Sequence, residues 1–290
     1  MIYSLNPSIE QAIGVLYHMV TPHLHDATVQ EVSANWDPLA KVAKLYIDRG
    51  SGSMEQVGEI DPNAIIAATL MLATEADKSI EVHAGFLNCV IPSGYRYHAA
   101  LPPVTDGASF SIRLHHPRQW QLSDFGMTET QIAEVTAAVL DKKTILVAGG
   151  TFVGKTSYLN ALLKLIPVAE RLLVVEDEME LQVRAGNVVR RRATEAANLK
   201  RQVYEALRDR PDRIIVGEVR SVEAADMLEA LATGHAGGLS TIHANSAEGA
   251  IKRLMRLAQC ELELVHEAIN LIIFLERRRN QRLVKEIQYL

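Results

Sequence analysis

The chain has 290 residues and is weakly acidic, with 30 Lys and Arg against 35 Asp and Glu and a formal net charge of −5. A protein that coats nucleic acid needs an excess of clustered basic residues, so this balance argues against that class. Hydrophobic residues make up 48% of the chain, which excludes extensive disorder and allows two domains. The two cysteines, Cys89 and Cys260, lie far apart and exclude a disulfide framework or a four-cysteine zinc site.

No apolar run approaches the roughly 20 residues that a membrane-spanning helix needs. The first residues, Met1 to Pro7, contain no Lys or Arg and so lack the charged start of a signal peptide. We therefore expect a cytoplasmic protein.

The first hundred residues mix helix and strand patterns. Apolar spacing predicts helices over Ile9–Val20 and Ala64–Thr74. Short apolar runs bounded by turn residues predict strands at Val42–Ile47, Ile80–His83, Phe86–Ile91, Tyr95–Ala100 and Ser109–Leu114. We interpret residues 1–105 as an N-terminal α+β domain and residues 106–117, where Pro and His interrupt the pattern, as a linker or hinge.

Residues 118–290 alternate strands with helices. The predicted strands are Thr144–Val147, Arg171–Glu176, Ile214–Val216 and Leu239–His243. The predicted helices are Lys155–Leu165, Ala196–Arg208, Glu223–Ala232 and Ala247–Ala258. This alternation indicates a doubly wound, mostly parallel sheet. The tail, Leu271–Leu275 and Leu283–Leu290 around an Arg-Arg-Arg-Asn turn, predicts a terminal hairpin.

A glycine-rich loop follows the first of these strands. Gly-Gly-Thr-Phe-Val-Gly-Lys-Thr at 149–156 fits G-x-x-x-x-G-K-[ST] between a strand and a helix, which is the context that the motif needs. Backbone N–H groups of such a loop converge on phosphate oxygens. We expect Lys155 to reach the β- and γ-phosphates of ATP and the Thr156 hydroxyl to hold Mg²⁺. The predicted nucleotide-binding residues are Gly149, Gly150, Thr151, Phe152, Val153, Gly154, Lys155, Thr156 and Ser157.

Hydrolysis also needs a carboxylate that can polarise a water near the γ-phosphate. Two predicted strands end in carboxylates, one in the acidic cluster 176–180 and the other in Glu218. Gly217 stands where many P-loop ATPases have Asp, so we expect Thr156, phosphate oxygens and waters to coordinate the metal. His243 ends a further strand and lies toward the ligand edge of such a sheet. A structural role for His243, and a surface pairing of Glu218 with Arg220, stay open as alternatives.

Four motifs in order resemble the Walker A, Asp box, Walker B and His box of the secretion ATPase superfamily, and most of all those of the VirB/TrbB-like traffic ATPases of type IV secretion and conjugation. These motifs occupy residues 149–157, 176–181, 207–220 and 233–245. Shorter stretches resemble the amino domain and hinge of that family more loosely, at 29–35, 92–96, 101–104 and 110–113.

The resemblance implies an α/β protein with a RecA-like P-loop ATPase domain preceded by a smaller α+β N-terminal domain. It also implies a homo-hexamer with ATP between subunits, attached peripherally at the cytoplasmic face of the inner membrane to components of a secretion or conjugation machine. By the same resemblance, Glu180 activates water with support from Glu176 and Asp177, Glu218 is the Walker B carboxylate, and His243 senses the γ-phosphate. The motif arginines, of which one or more would complete the site across a subunit boundary, are Arg113, Arg208 and Arg220.

Other functions remain as alternatives. A type II secretion or type IV pilus motor is one, although the type II assembly ATPases usually have a CxxC-type zinc module that this chain lacks. The bulky Phe152 and Val153 allow a slow, nucleotide-dependent assembly scaffold. The absence of an Asn-Lys-x-Asp motif disfavours a GTPase, and low aromatic content disfavours a helicase, so we expect no direct nucleic-acid binding. The basic stretches Arg190–Arg192 and Arg277–Arg279 fit solvated faces, lipid contacts or subunit contacts equally well.

Overall fold

A computed structural model describes residues 18–50, 53–75, 85–91, 94–114, 119–177, 179–194, 197–279 and 281–290. The chain divides into two compact units, Met1–Pro117 and Arg118–Leu290. Of the predicted helix Ile9–Val20 only the last three residues are described, and they open a helical segment at 18–24. The predicted strand Ile80–His83 lies outside the described residues.

The first unit contains an antiparallel sheet of six strands in the order β3-β2-β1-β6-β5-β4 and a helix, α1. Its elements are β1 (Glu31–Asp37), β2 (Val42–Asp48), β3 (Met54–Ile60), α1 (Pro62–Glu75), β4 (Phe86–Val90), β5 (Arg96–Ala100) and β6 (Ser109–Arg113). The predicted strands in the described ranges and the helix Ala64–Thr74 are confirmed to within a few residues. The strands β1 and β3 were not predicted.

One face of this sheet and α1 enclose the core of the first unit. Burial alternates along β2, as expected for a strand with one buried face. Thr69 of α1 is fully buried, and its hydroxyl lies 2.7 Å from the Tyr97 hydroxyl of β5. The strand β6 pairs with both β1 and β5. The predicted linker 106–117 therefore contains an inner strand of the first sheet, because the apolar alternation of Ser109–Arg113 fits that position.

The second unit contains a sheet of seven strands in the order β13-β12-β7-β11-β10-β8-β9, in which only β12 and β13 pair antiparallel. The strands are β7 (Ile145–Gly149), β8 (Leu172–Glu176), β9 (Val188–Arg192), β10 (Arg213–Val219), β11 (Leu239–His243), β12 (Leu271–Arg278) and β13 (Gln281–Tyr289). The helices are α2 (Glu129–Leu140), α3 (Lys155–Leu163), α4 (Leu199–Ala206), α5 (Glu223–Ala232), α6 (Ala247–Ala258) and α7 (Leu262–Ala268). The predicted parallel sheet and terminal hairpin are confirmed, whereas β9, α2 and α7 were not predicted.

Successive side chains of the inner strands enter two cores on opposite faces of this sheet. Leu146 and Leu173 pack on the side of α4 to α7, whereas Ile145 and Val147 pack on the side of α2 and α3. Coverage of both faces explains why these strands are unbroken apolar runs. The parallel arrangement brings the carboxyl ends of β7, β8, β10 and β11 to one edge, where ligands bind in sheets of this kind.

No helix in the described ranges is both long and apolar enough to cross a membrane.

Candidate nucleotide site

The phosphate loop connects β7 to α3 and depends on a left-handed turn. Gly154, directly before the helix, has φ of +93°, a conformation that side chains with Cβ adopt only with strain. Val153 is buried in the core next to Gly149, whereas Phe152 is 43% exposed. Of the two bulky residues that the sequence singled out, Phe152 itself adopts a left-handed conformation, with φ of +60°, and Val153 fills the space beside Gly149. Thr156 lies half-buried in the first turn of α3.

Lys155 is buried at the start of α3 and directs its ammonium group into the loop. The Nζ atom donates to the carbonyl oxygens of Gly149 at 3.2 Å and Gly150 at 2.7 Å. It also lies 3.2 Å from Nδ1 of His243 on β11. An ammonium group has three donors, so these partners can use all of them. An anion that binds Lys155 must therefore replace some of these contacts.

The contacts continue from His243 across the neighbouring strand. Its Nε2 lies 3.1 Å from Oε1 of Glu218, whose Oε2 accepts a hydrogen bond of 2.8 Å from Arg220. Arg220 also contacts Asp177 at 3.3 Å, beyond the end of β8. With the imidazole proton on Nε2, the ring accepts from Lys155 and donates to Glu218. Residues from all four motifs thus form one connected polar cluster.

The protonation states follow from this environment. Partial burial, together with the positive charge of Lys155, lowers the pKa of His243 below its usual value of 6.5, although the Glu218 carboxylate opposes this. Burial alone would raise the pKa of Glu218, but the hydrogen bond from Arg220 and the nearby positive charges outweigh it and lower that pKa. At neutral pH the ring is therefore neutral and Glu218 is charged, so Glu218 is suited to accept hydrogen bonds from water and orient it.

A bulge in β10 gives Glu218 its position. The register between β10 and β11 shifts between Val216 and Val219, and such bulges re-aim side chains next to active sites. A Cβ at Gly217 would come within 3.1 Å of the Glu176 side chain. The structure thus explains why this position has no Asp: a larger residue would push against a buried carboxylate.

The Glu176 side chain is only 4% exposed, and both of its carboxylate oxygens accept hydrogen bonds from its own chain. Its Oε1 accepts hydrogen bonds from the backbone N–H groups of Glu180 and Leu181, both at 2.9 Å. Arg190 contacts its other oxygen at 3.2 Å. Glu176 therefore holds the loop that contains Glu180. The pKa of Arg220 is raised mainly by its hydrogen bond with Glu218, and the charges of Asp177 and Glu180 add to this, so Glu180 lies within electrostatic range of the cluster.

The three predicted arginines occupy different places. Arg220 belongs to the polar cluster. Arg208 lies in the exposed 3-10 turn Leu207–Asp209, where its contacts are with Glu205 at 3.4 Å and the ring of Tyr204 at 5.8 Å. Arg113 lies in β6 of the first unit. Of the three predicted arginines, Arg220 is the one seen in contact with predicted carboxylates, Glu218 and Asp177, in the described part of the chain.

Two structural arginines were not identified as such from the sequence. Arg190 and Arg191, described above as part of a basic stretch, contact partners in their own chain: Arg190 contacts Glu176, and Arg191 contacts Asp209. They lie in β9, whose parallel pairing with β8 places Arg192 opposite Glu176. Two adjacent valines followed by three arginines were too short an apolar signal to predict this edge strand.

Comparisons with known proteins place this arrangement in context. The family model described as type II/IV secretion system protein matches residues 85–288. The conjugal transfer protein TrbB of Rhizobium radiobacter is 35% identical, over 91% of this chain and 84% of that protein. The type IV secretion system protein PtlH of Bordetella pertussis is 32% identical, over 84% of this chain and 86% of that protein.

Solved structures share the fold at lower identity. The VirB11 ATPase of the Brucella suis type IV secretion system, solved in complex with sulphate, has a TM-score of 0.51 at 23% identity and covers 98% of this chain and 97% of its own. The pilus retraction motor PilT with bound ADP has a TM-score of 0.68 at 17% identity, over 99% of this chain and 83% of its own. These similarities indicate the same ATPase fold.

Proposed function

The chain belongs to the type II/IV secretion system protein family, in which its phosphate loop makes it a P-loop ATPase, and from this premise we propose that it is the Mg²⁺-dependent motor of a conjugation or type IV secretion machine. ATP hydrolysis would power pilus assembly or substrate transport. The observation that supports this most directly is the contact chain from Lys155 in the loop through His243 to Glu218.

This contact chain can connect the presence of a phosphate to the state of a carboxylate. When the Lys155 ammonium group turns to phosphate oxygens, it breaks hydrogen bonds that it now makes with Gly149, Gly150 and the His243 ring. The ring of His243 then loses its donor on one side while it keeps Glu218 on the other. His243 is thus suited to the γ-phosphate sensing that the motif resemblance implies, since a change at Lys155 reaches Glu218 through one side chain.

The carboxylates divide the remaining work. We assign water activation to Glu180, and the Walker B role to Glu218, which is charged at neutral pH and held by Arg220. Glu176 acts as a positioning residue, because its contacts with the N–H groups of Glu180 and Leu181 hold that loop. Asp177 holds the other arm of Arg220. Arg113 and Arg208 are the candidates to reach the site of another subunit.

The residues at the loop fit Mg²⁺ with a small number of protein ligands. Thr156 offers a hydroxyl in the first turn of α3, whereas Glu176 is occupied by backbone N–H groups and Arg190. Mg²⁺ prefers oxygen ligands and usually keeps several waters. When bound with ATP, the ion would neutralise phosphate charge; Thr156 would hold it directly and the carboxylates would act through water.

The larger organisation is also part of the proposal. We assign the second unit, residues 118–290, as a RecA-like ATPase domain and the first as a smaller α+β N-terminal domain, with the hinge within 106–117. The protein would act as a homo-hexamer at the cytoplasmic face of the inner membrane, bound to machine components rather than inserted in the bilayer. The support is the similarity to TrbB and PtlH over most of the chain.

The test is ATP turnover by the purified oligomer with and without Mg²⁺. Lys155→Ala should lower turnover by about 100-fold or more, since removal of one preorganised donor to a transition state has effects of this order. Lys252→Ala is the matched control, because Lys252 is exposed on α6 and pairs with Glu248. A Lys155→Ala variant that keeps the parental rate would contradict the assignment, and ATP binding without turnover in the parent would favour the scaffold.

A further inference from the structure

Arg282 of β13 lies against the phosphate loop, although no motif contains it. A Cβ built on Gly154 would come within 2.6 Å of Cδ of Arg282 and 3.1 Å of its Nε. The strand register explains this closeness. Leu275 of β12 pairs with Gly149 at the end of β7, and Arg282 pairs with Arg277, two residues further along β12. The hairpin thus continues beyond the end of β7 and is level with the loop.

Trp120 holds the guanidinium group in this place. The Arg282 Cζ atom lies 4.4 Å from the centre of the indole ring, a close cation–π contact. Trp120 is itself fixed, because its ring packs against Phe125 at 5.5 Å and Lys164 donates to its carbonyl oxygen at 2.7 Å. Phe125 in turn packs edge-on against Tyr158 of α3 at 4.8 Å. Trp120, and with it Arg282, is therefore anchored through Phe125 to α3, the helix that follows the phosphate loop.

The strand order determines which end of a nucleotide this pair would meet. The strands β11 and β10, which contribute His243 and Glu218, lie on one side of β7, whereas β12 and β13 lie on the other. The proposed hydrolysis requires the γ-phosphate on the side of Glu218. The phosphate chain passes along the loop, so the nucleoside leaves it on the opposite side, where Arg282 lies.

We propose that Arg282, stacked on Trp120, forms the surface on which the nucleoside of the bound ATP packs. This inference rests on the proposed function, since it needs ATP in the phosphate loop. A guanidinium held over an indole ring is a planar, weakly hydrated cation, which suits packing against a base and ribose. A ligand with phosphates but no nucleoside would make no use of it.

The experiment uses Trp120 as its own reporter. The chain has two tryptophans, so Trp36→Phe in the full-length protein leaves Trp120 as the single indole. ATP should change the fluorescence of Trp120, and Arg282→Ala should weaken ATP binding about tenfold, which corresponds to one charged contact. Inorganic tripolyphosphate, measured by calorimetry, should bind Arg282→Ala and its parent equally well.

Two further variants keep the test decisive. Arg278→Ala removes an exposed arginine of the same hairpin, which pairs with Glu276, and should leave both affinities unchanged. Arg282→Lys keeps the positive charge but removes the planar guanidinium group, so ATP affinity should fall while the protein still folds. Unchanged ATP affinity in Arg282→Ala, or equal weakening of ATP and tripolyphosphate, would overturn the inference. A parent that binds neither ligand would instead refute the proposed function.

Discussion

Charged residues lie near both ends of the strand β10, and their surroundings differ greatly. Arg213, its first residue, is fully buried and makes a two-pronged contact with Glu170, at 2.6 and 3.1 Å. At the other end, Glu218 and Arg220 form a pair in which the side chains are 20% and 52% exposed. The charge at the amino end of β10 is thus enclosed by residues of its own chain, whereas the pair at the carboxyl end is partly exposed to solvent.

The difference in exposure distinguishes an ion pair that stabilises the fold from an ion pair that belongs to the candidate nucleotide site. Arg213 also contacts the carbonyl oxygen of Gly237, so it connects the loops at the amino ends of three strands, and its complete burial keeps it from a ligand. The Lys155–His243–Glu218 cluster can exchange its partners for phosphate and water. At the amino edge of this sheet the buried charge is fixed by one carboxylate, whereas at the other edge the buried Lys155 belongs to a partly exposed cluster of connected groups.

The largest effect that would test this comparison is on stability. Arg213→Ala removes both short hydrogen bonds to the Glu170 carboxylate and leaves it the longer contact with Lys142 at 3.9 Å, so we expect the free energy of unfolding to fall by about 3 kcal/mol. Arg220→Ala should cost less than about 1 kcal/mol because that pair is exposed, but it should lower ATP turnover. Urea unfolding followed by circular dichroism, with turnover measured beside it, checks both. Equal stability losses in the two variants would break the comparison.

A smaller effect is expected for the buried carboxylate on the functional edge. Glu176→Ala removes the acceptor of two backbone N–H groups, and an unsatisfied buried group costs about 1–3 kcal/mol. Hydrogen exchange should speed up at the amides of Glu180 and Leu181, and turnover should fall because Glu180 is no longer held. Glu248→Gln, at an exposed position of α6 that pairs with Lys252, is the control. Unaltered exchange at these two amides would show that Glu176 does not hold the loop.

The smallest expected effect is on the pH dependence of stability. The pKa of His243 is lowered in the folded chain, so the unfolded chain takes up the proton first as the pH falls below about 6.5, and stability is lost there. Glu218, also lowered, adds a loss only below about 4.5. After solvent screening we expect a fall in Tm of about 1–2 °C between pH 7 and 5.5. His243→Gln should remove this difference; an identical pH profile in that variant would exclude His243 as its cause.

Apolar patterns predicted the inner elements of the second unit well because two-sided burial makes those strands unbroken hydrophobic runs. The strands β7, β8, β10 and β11 and the helices between them follow directly from this. The edge strand β9 was missed, since arginines replace the apolar pattern where the sheet ends. The strand Ser109–Arg113 was predicted correctly, but its place inside the first sheet depends on pairing with β1, which lies far away in sequence.

Local patterns were enough to predict the candidate chemistry: the phosphate loop, the carboxylates at strand ends and His243 are residue types whose spacing indicates what they can bind. The contacts among these groups could be read only from the folded chain. Glu176 is committed to the loop of Glu180, Arg213 to Glu170, and Arg282 lies beside Gly154. Such contacts join residues distant in the chain, and their energy depends on burial and strand register, which no local pattern records.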